Sequence, residues 1–204
     1  MADKGLLVIL SGPSGCGKDT VINELMARDS SVVVSVSSTT RAMRENEIDG
    51  VSYNFLTKSE FEKLIENDEV LEYAEYNGCY YGTPMKPLEK MLDEGKVVIL
   101  KIEVQGAQKV MEKLKDDVVT IFLLPPSFEE LERRLRGRKS DSEEQIQSRL
   151  RIAVDELGCA ENYSYVVVND DLSVAVEDIL SVFNAEKRKT KRNTKIIREV
   201  CKNA

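Results

Sequence analysis

Apolar residues fall along the chain in short, nearly unbroken blocks. Five β-rich runs occupy 6–10, 31–36, 96–103, 118–124 and 165–168. Runs that are apolar on both sides of the pleat suit strands covered on both faces, which is the habit of a parallel sheet between helix layers. Between the runs the apolar spacing lengthens. Val21, Ile22, Leu25 and Met26 recur at helical intervals after the first run, and Pro84 opens a helix to about Glu94 that Gly95 closes. Gln105-Gly106-Ala107 leads into a further helix, Pro125-Pro126 stops the fourth run, and Ser127 caps another helix. A long helix finishes the chain, and its basic end, 187–202, is expected to fray.

Residues 37–83 break this rhythm. Val51-Ser52-Tyr53-Asn54-Phe55-Leu56 alternates as a strand does, with Tyr53 and Phe55 on one face. Thr57 to Glu60 reads as a capping box that opens a helix over 61–65. The runs 70–76 and 79–82 flank Asn77-Gly78, a hairpin turn signal. The segment is therefore a small, Tyr-rich, strand-bearing insertion, suited to a small anion that carries a planar base.

The most specific motif follows the first run: Gly12, Pro13, Ser14, Gly15, Cys16, Gly17, Lys18, Asp19 and Thr20. Glycines let successive backbone N–H groups converge on phosphate oxygens, the helix start adds positive potential, and Lys18 reaches the outer phosphates. The usual Ser or Thr after the lysine is replaced by Asp19, with a hydroxyl one place later at Thr20. Asp19 fits two roles equally: an acid favoured in the first turn of a helix, or a water-mediated partner of Mg²⁺.

Two further clusters carry chemistry. Arg41 and Arg44 stand three apart in a polar loop and could fork one phosphate, although two solvated surface arginines would look the same in isolation. Residues 127–159 read as an Arg-dense helical hairpin. Such a charge run is commonly a solvated face, but beside a triphosphate loop it suits a mobile lid whose arginines stabilise a transferring phosphoryl group.

Composition narrows the chemistry. The 204 residues are 42% hydrophobic and 32% charged, ordinary for a globular protein with one core. A net charge of −7 argues against a general nucleic-acid binder, so an anionic ligand needs a local Arg and Lys cluster. There is no histidine, which excludes His-based acid–base catalysis and His-ligated zinc. The four cysteines lack short paired spacings and read as free thiols of a reducing cytosol. No membrane-length apolar stretch occurs, and the first five residues do not resemble a signal peptide.

Several separated motifs together resemble the guanylate kinase family over about residues 5–186: GPSGCGKDT, SVSSTTRAMR, the YNF at 53–55, LEYAEYNGCYYGTP, IEVQGAQ, RLRGR with SRL at 148–150, and VVVND at 166–170. The resemblance implies an α/β, P-loop NTPase three-layer fold with a central parallel sheet. It implies one domain over 1–204, with a core of about 5–36, 84–126 and 160–204, a GMP-binding insertion at 37–83 and a helical lid at 127–159. Transfer of the γ-phosphoryl of ATP to GMP with Mg²⁺ is the expected activity, in the cytoplasm. Arg41, Arg44, Tyr53 and Tyr81 would hold the GMP phosphate, Ser37, Glu72 and Thr83 would read guanine, and Glu103 would keep an acid near the GMP. Lys18, Arg134, Arg138 and Arg149 would surround the γ-phosphoryl, with Asn169 near the adenine. Asp19, Thr20 and Glu103 are candidate metal partners through water.

The chain departs from the family pattern at several places. Met43 and Asn46 stand where Pro and Gly are usual, Lys139 replaces a Gly, and Lys101 replaces an acid. Glu103 follows Lys101 by two, so the strand reading puts both on one face and pairs them. Two other readings fit parts of the sequence: a non-catalytic guanylate-kinase-like interaction module, and a kinase with another phosphorylated acceptor, such as a sugar. The intact Gly12, Gly17 and Lys18 disfavour the first, and Ser37, Glu72 and Thr83 disfavour the second.

Overall fold

The computed structural model describes residues 4–137 and 142–202. In chain order the elements are β1 (Leu6–Ser11), α1 (Lys18–Arg28), β2 (Val32–Val34), β3 (Ser38–Thr39), β4 (Asn54–Phe55), α2 (Lys58–Glu66), β5 (Val70–Tyr76), β6 (Cys79–Pro84) and α3 (Met85–Asp93). They continue with β7 (Val97–Leu100), α4 (Val104–Leu114), β8 (Val119–Leu124), α5 (Phe128–Arg136), α6 (Glu143–Gly158), β9 (Tyr165–Val168), α7 (Leu172–Lys187) and α8 (Thr194–Lys202).

The five apolar runs form one sheet in the order β2-β7-β1-β8-β9, with every pairing parallel. Side chains alternate across a strand, so β1 feeds two cores at once. Leu6, Val8 and Leu10 pack with Val97, Ile99, Ile121 and Leu123 against α1 and α7, where Val21, Leu25, Val176, Ile179 and Phe183 are buried. Leu7 and Ile9 point the other way, joining Val98, Leu100 and Phe122 against Leu88 of α3 and Ala107 and Val110 of α4. These three layers explain why β1, β7 and β8 are continuously apolar, whereas the edge strand β9 leaves Val166 and Val168 exposed. They also bring the C-terminal ends of β1 and β7 side by side, where such sheets bind ligands.

A second sheet, β4-β3-β6-β5, comes from the intervening segment. The hairpin turn carries Asn77 at φ 50° and Gly78 at φ 72°, as a primed turn requires. The capping box at Thr57 and Glu60 is complete, with backbone and side chain exchanged in both directions. α5 and α6 enclose a small core of their own, Leu131, Leu135, Ile146, Leu150 and Ala153.

Four expectations need correction. The alternating 51–56 forms a strand only at Asn54–Phe55, because Val51 and Ser52 donate backbone bonds to the Ile48 carbonyl and make a turn. Tyr53 and Phe55 do meet, edge to face at 6.0 Å, so the alternation reflected ring packing rather than a ladder. The run over 96–103 ends at Leu100, since Ser11 Oγ donates to the Ile102 carbonyl and Glu103 becomes the N-cap of α4. The last helix does not run on into the basic tail: α7 stops at Lys187, Lys191 pairs with Asp117, Arg192 donates to the Gly5 carbonyl, and α8 follows. Finally, the polar loop after β2 starts with a strand, β3, paired with β4 and β6.

Candidate active site

β1 delivers the glycine-rich loop to the sheet edge, and α1 begins at Lys18 directly behind it. Gly12 sits at φ +149°, and a Cβ there would stand 2.3 Å from the Leu123 carbonyl oxygen of β8. Gly17, the N-cap of α1, has φ +96°, a left-handed conformation that costs an L side chain strain. Gly12→Ala is therefore expected to lower the thermal midpoint clearly, at a cost of roughly 1–3 kcal/mol, and to abolish ATP binding in a titration. A variant that melts and binds like the parent would show that the loop does not need this glycine.

Lys18 curls back over the loop: its Nζ donates to the carbonyls of Gly12 at 2.6 Å and Pro13 at 3.1 Å. The loop is braced from outside. Asn169, just past β9, donates through Nδ2 to the Cys16 carbonyl at 2.8 Å, and Arg134 of α5 donates to the Cys16 and Asn169 carbonyls and to Glu130. Pro13, Ser14 and Gly15 complete the turn, with Gly15 against Leu131 and Leu135. Burial pushes the Cys16 thiol up, with Lys18 opposing, so this cysteine is a packed thiol rather than a nucleophile. Arg149 lies half-buried on α6, and Arg138 falls outside the described residues.

The second sheet assembles two groups. In the first, the Arg41 guanidinium lies 5.5 Å from the Tyr53 ring centroid, and Tyr53 meets Tyr81 at 6.1 Å. Arg41 also grips Glu47 with two hydrogen bonds, at 2.7 and 3.0 Å. Arg44 is exposed, and its backbone N–H donates to the same carboxylate. In the second group, Thr83 Oγ1 donates to Glu72 Oε1 at 2.8 Å, and both residues are buried. The other Glu72 oxygen faces Gly106 of α4, where a Cβ would come within 3.3 Å. Burial raises the Glu72 carboxyl, and the Thr83 hydroxyl and Lys109 partly offset this. Ser37 precedes β3 and accepts from the Asn54 amide through its carbonyl.

Around Lys18 the charges differ from expectation. Lys101 does not pair with Glu103; its Nζ reaches Asp19 Oδ1 at 2.8 Å, 82 residues away in sequence. Because the strand has ended, the two residues no longer share a pleat, and Glu103 stands exposed at the start of α4. Thr20 is exposed one residue after Asp19.

Two acids that the sequence does not single out stand in the site. Glu47 was embedded in a turn, although its spacing from Arg41 and Arg44 was a usable signal. Glu156 of α6 carries none: burial raises its carboxyl, while Lys18 and a hydrogen bond from the Ser14 amide draw it down and Glu103 pushes it up. The far helix hairpin thus touches the glycine-rich loop through an acid as well as through Arg134.

Among the described residues, no helix is long and apolar enough to cross a membrane. A family model described as guanylate kinase matches residues 4–186. A guanylate kinase of Halalkalibacterium halodurans is 47% identical over 190 residues, covering 93% of each chain. One from Clostridium perfringens is 48% identical over 190 residues, 93% of this chain and 88% of that protein. The crystal structure of guanylate kinase from Anaplasma phagocytophilum superposes with a TM-score of 0.73 at 40% identity, covering 94% of this chain and 90% of that one.

Proposed function

The chain belongs to the guanylate kinase family, and on that premise we propose that it transfers the γ-phosphoryl group of ATP to GMP, giving ADP and GDP. The observation that carries the choice of acceptor is the buried Glu72–Thr83 pair. Guanine offers adjacent N1–H and N2–H donors to a carboxylate, and Thr83 already occupies only one of its oxygens. Adenine has no such donor pair and would leave a buried acid unsatisfied.

The phosphate of GMP falls to Arg41, Arg44, Tyr53 and Tyr81, with Ser37 and Glu103 completing the acceptor site. Glu47 takes both terminal nitrogens of Arg41 in one fork, which fixes the guanidinium plane above Tyr53. The triphosphate takes the backbone N–H groups of 12–20, and Asn169 and Arg134 brace that loop against Cys16. Once phosphates arrive, the Lys18 ammonium exchanges the Gly12 and Pro13 carbonyls for phosphate oxygens.

Transfer breaks the bond from the γ-phosphorus to the β–γ bridging oxygen and forms one to an oxygen of the GMP phosphate. No covalent enzyme intermediate or histidine is needed, because the protein positions the groups and neutralises charge. Arg134, Arg138 and Arg149 of the 127–159 hairpin supply that charge as a lid, and closure over the 37–83 segment keeps water from the γ-phosphate.

The donor set fits Mg²⁺. Asp19, Thr20 and Glu103 offer oxygens that would reach the ion through water, and among the described residues no group of three or more His, Cys, Asp or Glu could hold a metal alone. Mg²⁺ sites of this kind use one or two carboxylates, water and the substrate phosphates, so the ion comes with ATP. Bound with ATP, it would offset the phosphate charge during transfer. We place the activity in the cytoplasm, with no nucleic-acid or membrane partner.

The reading is tested by ADP formation from ATP and Mg²⁺ with GMP, AMP, UMP, CMP or no acceptor. Turnover with GMP at least about a hundredfold above AMP is expected, as a site built to pair with donor groups rejects bases lacking them. ATP binding without GMP turnover would instead favour another acceptor or an interaction module.

A further inference from the structure

We propose that Lys101 is an additional phosphate-contacting cation of the transfer site, held in place by Asp19 until the nucleotides bind. The inference rests on the kinase reading above. Asp19 is the second residue of α1, directly after Lys18, and lies in the half-turn that receives the triphosphate. An acid there opposes the approach of a highly charged anion unless a cation offsets it. Lys101 provides that cation at 2.8 Å.

The position of Lys101 follows from the sheet. Ile9 of β1 is paired with Leu100 of β7, so Lys101 leaves the sheet level with the last residues before the phosphate loop. The Ser11 hydroxyl ties the next residue, Ile102, to β1 at 3.0 Å. Four residues further on, Gly106 faces the Glu72 carboxyl. Residues 101–106 therefore run from the triphosphate loop to the guanine-reading acid. A cation at the start of this span lies at its triphosphate-loop end, beside Asp19.

The existing partner does not lock it there. Lys101 and Asp19 side chains are 47% and 74% exposed, and an ion pair so open to water is weak. Phosphate oxygens in a closed, water-poor site are stronger partners for an ammonium. As Lys101 turns to them, the Asp19 carboxylate is freed toward the solvent shell of the incoming Mg²⁺. The pair is an exchange couple, with each member released for a ligand of opposite sign.

Binding and turnover of Lys101→Met, Lys101→Arg and Asp19→Asn separate this role from a structural one. Lys101→Met should weaken Mg²⁺-free ATP binding about fivefold in a fluorescent-nucleotide titration and lower kcat about tenfold, with the KM for GMP within about twofold. Lys101→Arg should restore most of both. Asp19→Asn should bind Mg²⁺-free ATP more tightly, because the repelling charge is gone, yet need more Mg²⁺ for half-maximal turnover. Lys101→Met with parental ATP affinity and kcat would overturn the proposal, as would losses that follow the thermal midpoint and are not rescued by Arg. If the parent shows no GMP-dependent turnover, the kinase reading fails, while the ATP titration still decides the role of Lys101.

Discussion

Lys18→Ala is expected to remove nearly all ADP formation while leaving the fold intact. The Lys18 ammonium is the one side-chain cation that β1 and α1 place inside the loop, held over the Gly12 and Pro13 carbonyls. In water-poor phosphoryl transfer, a fixed donor on developing charge is worth roughly two to three orders of magnitude in kcat. A loss of at least about a hundredfold follows, far larger than that for Lys101→Met, because Lys18 sits at the convergence of the backbone N–H groups. Structural damage should be limited to the two lost Lys18 bonds, since the Pro13 carbonyl keeps the Cys16 N–H as a partner. Rapid-quench measurement of ADP with saturating GMP checks this, alongside a melt. Full activity in Lys18→Ala would sink the catalytic reading of the loop.

Glu72→Gln should act on the acceptor alone. Glutamine keeps the shape but presents one oxygen and one NH₂ group, so a donor meets a guanine donor in a buried site. Lost and opposed charge-assisted hydrogen bonds of this kind total about 3 kcal/mol, or roughly a hundredfold in KM for GMP. The KM for ATP should hold within about twofold, because Glu72 is on β5 and the loop is on the other sheet. The same chemistry has a pH signature. Burial raises the Glu72 carboxyl, and only its ionised form accepts both guanine donors. GMP affinity should therefore fall as pH drops through that raised value, and the dependence should vanish in Glu72→Gln. A GMP affinity unchanged by the substitution would remove Glu72 from the recognition site.

What could be read from the chain depended on the range of the interaction that fixes each feature. β1, the loop and α1 are contiguous, so their apolar run, glycines and helical spacing state the structure directly. β7 and β8 were legible because burial on both faces writes an unbroken apolar block, and the edge strands β2 and β9 because they too are runs of valine, although Val166 and Val168 of β9 are exposed. The Thr57–Glu60 box was legible because it closes within one turn. Local pattern misled where two causes give one signature: Tyr53 and Phe55 alternate for ring packing, and Lys101-Ile102-Glu103 alternates like a strand end although Ser11 and α4 end the strand at Leu100. In the tail, eight cations concealed the short apolar spacing of Ile196, Ile197 and Val200 that shapes α8. The Lys101–Asp19 pair and the approach of Glu156 to Ser14 were beyond reach, since both are made by the packing of distant elements.

The small apolar cluster between α5 and α6 has an energetic consequence. Leu131, Leu135, Ile146, Leu150 and Ala153 bury one another and belong to neither layer of the central sheet. The hairpin thus has a core of its own, tied to the main one near the end of α6, where Leu157 packs against the Leu7, Ile9 and Phe122 layer. If the hairpin moves as the lid that the kinase reading requires, this core moves with it, and what is remade is its contacts with the rest of the chain: Leu157 and Cys159 on the layer against the central sheet, Glu156 at Ser14, and Arg134 at Cys16 and Asn169. Those contacts, rather than the cohesion of the hairpin, would then set the free-energy gap between its two positions.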